Sequence, residues 1–133
     1  MSKVVLCVGC FELLHTGHLE HLEASYDMGS TLIVGVTRDG YVNKGKGRPV
    51  INASNRARIV QAIWCVDKVL LVRSSLEALK KAEPDIFSLG SDYRGKVREE
   101  DMRYCEIHGI EIRFTNRPRD SSTEIYDRIR ASI

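Results

Sequence analysis

The chain has 133 residues, 43% of them hydrophobic and 29% charged, with a formal net charge of +2. That length suffices for one domain, 1–133, with a real core but not for two, and the small charge does not argue for nucleic acid, which calls for a strongly basic face. No apolar run approaches the ~18 residues of a membrane span. The first one is short, interrupted at Gly9 and Glu12 and unlike a signal peptide, and four cysteines without a framework spacing point to a reducing cytoplasm.

Short apolar runs alternate with amphipathic segments, the pattern of a parallel sheet wrapped by helices. Residues 3–9 read as a first strand and 17–28 as a helix with Leu19, Leu22 and Met28 inward. Residues 31–37 are almost continuously apolar, as in a strand buried on both faces. The stretch from Arg38 to Val50 is polar and glycine-rich and too long for a plain connector, so it is expected to bind something or fold over a site. Asn52 caps a helix through Trp64 with Ile59, Val60 and Ile63 at helical spacing. Strand 68–72 follows, then a helix capped by Ser74 or Ser75 and stopped after Ala82 by Pro84. Residues 85–89 form a fourth strand, Val97–Ile107 a charged helix ended by His108-Gly109, and 110–114 a fifth strand. Ser121-Ser122-Thr123-Glu124 is a capping box that opens a last helix with Ile125 and Ile129 on its apolar stripe. This order predicts a Rossmann-like, doubly wound α/β domain with five parallel strands, whose ligand lies at the carboxyl ends of the central strands.

The densest chemistry follows the first strand, where His15-Thr16-Gly17-His18 opens a helix. Helix starts carry unsatisfied amides and the positive end of the peptide dipole, so an anion is favoured there, and Gly17 leaves room for a phosphate to approach. The glycines do not spell the dinucleotide or P-loop fingerprints, and the histidine pair lacks the spacing and glutamate of a zinc protease. Arg38, Lys44, Lys46 and Arg48 cluster in one loop, with Arg113, Arg117 and Arg119 in another, an arrangement suited to a small polyanion. Cys7 and Cys10 form Cys-x-x-Cys, but Cys7 lies inside the strand, and buried small hydrophobes are the better reading than redox or metal work.

The run Gly9-Cys10-Phe11-Glu12-Leu13-Leu14-His15-Thr16-Gly17-His18 resembles the His-x-Gly-His signature of cytidylyltransferase-like nucleotidyltransferases. Lys44-Gly45 with Arg48-Pro49-Val50, Asn55-Arg56, Val66-Asp67, Gly90-Ser91-Asp92-Tyr93 and Ser121-Ser122-Thr123-Glu124-Ile125 resemble later motifs of that family in the same order. In length the chain is similar to glycerol-3-phosphate cytidylyltransferases, and in its Lys-Gly and Arg-Pro-Val stretch to heptose-phosphate adenylyltransferases.

The resemblance implies transfer of CMP from CTP to a small phosphorylated alcohol or sugar, with magnesium and release of pyrophosphate. Transfer from ATP to a sugar phosphate is the alternative, and a nucleotide-binding module with weak or lost turnover is a reading of another class. His15, His18, Lys44 and Ser122 would act in catalysis. Gly9, Cys10, Phe11, Gly17, Asp92, Arg117, Ser121, Ser122 and Thr123 would bind the nucleotide, and Glu12, Lys44, Lys46 and Arg56 the acceptor. Two departures stand out: Glu12 replaces the family's usual aspartate, and Asn116-Arg117-Pro118-Arg119 replaces Arg-Thr-x-Gly. The resemblance also implies a homodimer, and no residue is assigned to a metal.

Overall fold

The computed structural model describes residues 2–116 and 122–133. Their elements are β1 (Val4–Gly9), α1 (Thr16–Tyr26), β2 (Thr31–Thr37), α2 (Ala53–Gln61), β3 (Lys68–Val72), α3 (Ser75–Ala82), β4 (Ile86–Gly90), α4 (Glu99–His108), β5 (Glu111–Thr115) and α5 (Ser122–Ser132). All neighbouring strands pair parallel, in the order β3-β2-β1-β4-β5. The chain therefore reverses its direction of travel across the sheet between β1 and β4, where a doubly wound fold opens a crevice at the strand ends.

Strand alternation divides the core in two. Val5 and Cys7 of β1 and Leu32, Val34 and Val36 of β2 meet Leu22 of α1 and Val60 of α2. On the other face Leu6, Ile33, Phe87 and Leu89 meet Ala78 and Leu79 of α3 and Cys105 of α4. Burying two apolar faces of one sheet is what stabilises a short chain of this kind, at roughly 25 cal/mol per Å². Two carboxylates close the strand starts: Asp85 accepts from the Val4 amide at 2.8 Å and Asp67 from the Leu32 amide at 2.8 Å.

Several boundaries differ from the expectation. α1 ends at Tyr26 and α2 at Gln61, each followed by turns; the apolar spacing runs on into Met28 and Ile63, whose amides make i−3 turn bonds to Ser25 and Val60. Ile59, expected inside, is 45% exposed. Val60 alone of the two neighbours points into the core. Ser74 is the cap of α3, accepting from Glu77 N at 3.1 Å, which leaves the Ser75 hydroxyl for another partner. Gly109 ends α4 in the left-handed conformation (φ 67°) that glycine adopts most readily. In α5 Ile129 is half exposed, and Tyr126 makes the inward contact instead.

Candidate active site

β1 ends in a sharp turn. Phe11 is held at φ 52°, a left-handed conformation uncommon for a bulky residue, and strain of this kind persists only where the surroundings fix it. Gly9 permits the turn, because a Cβ there would come within 3.0 Å of the Phe11 ring. Arg56 supplies the fixing contacts: its guanidinium donates to the carbonyl of Cys10 at 2.7 Å and to that of Ile51 at 2.8 Å, and pairs with Asp39 at 2.6 Å. Arg56 is 0% exposed. It was expected to bind the acceptor, but no ligand reaches a fully buried guanidinium whose bonds are spent on three segments of its own chain. It is a positioning residue for the β1–α1 turn.

After the turn, His15 caps α1. Its Nδ1 accepts from the Gly17 amide at 3.0 Å, while His18 Nδ1 accepts from the His15 amide at 3.4 Å. The two rings stack with centroids 4.0 Å apart, and Phe11 lies 5.3 Å from His18. With both Nδ1 atoms accepting, each neutral ring carries its proton on Nε2, a tautomer assigned from these bonds. The Gly17 amide is thus engaged by His15. His18 is pushed down to about 3 by burial first, then by the charges of His15, Lys44 and His21. A neutral, pre-oriented donor results.

One turn further along α1, His21 Nδ1 lies 2.6 Å from Thr115 Oγ1 at the end of β5. Burial pushes His21 down to about 4, a shift that the charge of Asp92 opposes. Asp92 itself is exposed, in the short 3-10 turn Ser91–Tyr93 after β4. His21 was not singled out from the sequence. Its spacing of three from His18 was the available signal.

Glu12, expected at the acceptor, is 2% exposed. Its carboxylate accepts from the Val50 amide at 2.9 Å, from Arg48 Nε at 3.2 Å and from the Tyr126 hydroxyl. Arg48 lies 4.1 Å over the Tyr126 ring. Burial alone would raise the Glu12 carboxyl, but the Tyr126, Val50 and Arg48 contacts outweigh it and hold it below the usual range. Glu12 thus latches the end of the 38–50 loop to β1 and α5. Its extra methylene relative to aspartate lengthens the reach toward these partners.

A cavity of about 300 Å³ opens at the ends of β1, β2 and β4. Gly9, Cys10 and Thr37 line it at the strand ends, Lys44 and Tyr93 from the segments that follow β2 and β4, and Lys96, Arg98 and Asp101 from the start of α4 and the residues before it. Lys44 also lies close enough to His18 to depress its protonation. Lys44 lines the cavity, whereas His15 and His18 do not. Lys46 is exposed and does not line the cavity. Arg117 and Ser121, and the side chains of Ser122 and Thr123, lie outside the described residues, although Ser122 and Thr123 open α5.

All four cysteines are free and buried, with Cys7 pushed up to about 12 chiefly by burial. A thiol held protonated in this way is a poor nucleophile and metal ligand. Among the described residues no group of three or more His, Cys, Asp or Glu is arranged to hold a metal ion, and Glu12 and Asp39 are already paired with arginines. No helix among the described residues is long and apolar enough to cross a membrane.

Comparison with known proteins agrees with this geometry. The chain is 42% identical over 97 residues to the bifunctional protein HldE of Magnetococcus marinus, covering 70% of this chain and 20% of that protein. To the bifunctional protein HldE of Nitratiruptor it is 33% identical over 139 aligned positions, 98% of this chain and 28% of the relative. It therefore spans between a fifth and a third of the length of these curated relatives. Among solved structures, a lipopolysaccharide core biosynthesis protein from Thermoplasma volcanium superposes with TM-score 0.72 at 24% identity, over 91% of this chain and all of that one. A pantoate-beta-alanine ligase from Francisella tularensis does so with TM-score 0.68 at 14% identity, over 91% of this chain and 61% of that one. These two likenesses concern the fold. A family model described as cytidylyltransferase-like matches residues 6–128, from within β1 to within α5, and the chain belongs to that family.

Proposed function

We propose that the chain is a nucleotidyltransferase that moves an adenylyl group from ATP to a phosphorylated sugar and releases pyrophosphate. The observation that carries this reading is the locked histidine pair beside a lysine-topped cavity at the sheet's switch point. An acceptor phosphate is already anionic and needs no strong base. Its oxygen attacks the α-phosphorus, a new P–O bond forms, and the bond to the bridging oxygen breaks with its electron pair leaving on pyrophosphate. The protein's task is alignment and charge stabilisation. His15 and His18 donate from Nε2 to oxygens of the triphosphate, and Lys44 meets either the triphosphate or the acceptor phosphate. Magnesium comes with the triphosphate as part of the substrate.

ATP replaces the CTP expected from chain length. Similarity to the HldE proteins supports the adenylyl alternative better than the cytidylyl one, in line with the Lys44-Gly45 and Arg48-Pro49-Val50 stretch. The test is pyrophosphate release with ATP and with CTP, each with magnesium, over a panel of sugar phosphates and glycerol 3-phosphate. Turnover with ATP and a sugar phosphate is expected. Preference for CTP would overturn the adenylyl assignment, and nucleotide binding without pyrophosphate release would overturn the enzymatic one.

A further inference from the structure

Asp101 is 3% exposed, on the first turn of α4, and lines the cavity. One carboxylate oxygen, Oδ2, accepts from the Ser75 hydroxyl of α3. The other, Oδ1, is buried and has no hydrogen-bond partner among the described residues. No lysine or arginine lies within salt-bridge distance of it there: Arg98 pairs with Glu100 at 2.7 Å instead. Burial raises the Asp101 carboxyl, and the Ser75 bond only partly offsets this. A buried acceptor left without a partner costs about 1–3 kcal/mol, and more if charged, so native folds keep such groups where something completes them. A carboxylate serving only the helix start would take backbone amides with its free oxygen. Asp101 instead lines the cavity, together with the cations Lys44, Arg73, Lys96 and Arg98. Cations in the lining suit a phosphate, and a carboxylate among them suits a hydroxyl.

We propose that Asp101, held by Ser75, is the residue that selects a polyhydroxylated acceptor phosphate, its carboxylate accepting a hydrogen bond from a sugar hydroxyl in the cavity. The inference rests on the nucleotidyltransferase reading for the identity of the cavity as the acceptor site. It adds which side chain distinguishes a sugar phosphate from a phosphate on a bare alkyl chain. Ser75 is a positioning residue in this arrangement.

The test compares wild type with Asp101→Asn, Asp101→Leu and Ser75→Ala, using mannose 1-phosphate and n-propyl phosphate as acceptor probes with ATP and magnesium. Asp101→Leu is expected to raise KM for mannose 1-phosphate at least about tenfold, the scale of one hydrogen bond to a charged acceptor, with KM for ATP and for propyl phosphate within about twofold of wild type. Asp101→Asn and Ser75→Ala should fall between. Thermal melts identify a variant that fails to fold, in which case Asp101→Asn carries the comparison. An unchanged KM for mannose 1-phosphate overturns the proposal, as does an equal rise for all three ligands, which is the mark of a merely structural link between α3 and α4. If wild type releases no pyrophosphate, the nucleotidyltransferase reading fails on its own, and calorimetric titration of mannose 1-phosphate decides the Asp101 question. Binding weakened by Asp101→Leu supports the assignment, and equal binding or none to wild type overturns it.

Discussion

Replacing Glu12 with Gln keeps the volume of a side chain that is 2% exposed but removes its charge and turns one acceptor oxygen into a donor. Three donors face it: Arg48 Nε, the Val50 amide and the Tyr126 hydroxyl. A hydrogen bond to a charged group contributes about 1.5–3 kcal/mol, and breaking a buried ion pair costs about 3–5 kcal/mol. Arg48 keeps its seat over Tyr126, which places the expected loss near the lower end, about 2–3 kcal/mol. For a domain of this size that is a fall in Tm of roughly 10 °C. The sign with pH follows from linkage. The folded carboxyl is held below its reference value of 4.5, so its stabilisation is complete above that value and is lost as pH falls through the lower folded one. Thermal melts of both proteins should therefore show the full gap near neutral pH and a closing gap in acid. A fall below about 2 °C at neutral pH, or a gap unchanged in strong acid, would refute the latch. The variant should also raise KM for a phosphorylated ligand, since Lys44 sits in the loop that Glu12 fastens.

Acid acts on the histidines in the same direction but over another window. His18 is neutral in the fold with its pKa pushed down to about 3 against a reference of 6.5, so unfolded chains gain protons first as pH drops below 6.5. Urea unfolding should lose up to about 1.4 kcal/mol per pH unit from this group, and His18→Asn should flatten that slope; equal slopes would contradict the neutral assignment. Lys44→Ala should raise KM for ATP or for the acceptor more than it lowers kcat, because an exposed loop cation acts in ground state and transition state alike. Unchanged steady-state constants would return Lys44 to a solvated surface role.

The order of strands and helices was legible because β1 and β2 are apolar on both faces and the helices that follow them are capped by residues whose side chains bond amides locally, as Asn52 does at 2.9 Å. Helix ends were less legible: Met28 and Ile63 continue an apolar spacing that the backbone has already abandoned. The histidine pair was found because its chemistry is local, within four residues. Glu12 and Arg56 were legible as residues of interest, but their protein partners were not. What decides their roles are contacts with Arg48, Tyr126, Cys10 and Asp39, between 17 and 114 residues away. Asp101 was passed over for the same reason. In the sequence it is one acid among Glu99 and Glu100, and only the packing of α4 against α3 brings it to Ser75 and the cavity.

The central claim is that the His15 and His18 rings donate to the reacting phosphates, and single-turnover pyrophosphate release from ATP in the presence of a sugar phosphate tests it most directly. His15→Ala and His18→Ala should each slow that step by roughly 10²-fold or more, the scale of losing one donor to transition-state charge, with the fold intact by circular dichroism. Either variant releasing pyrophosphate at the wild-type rate would contradict the account.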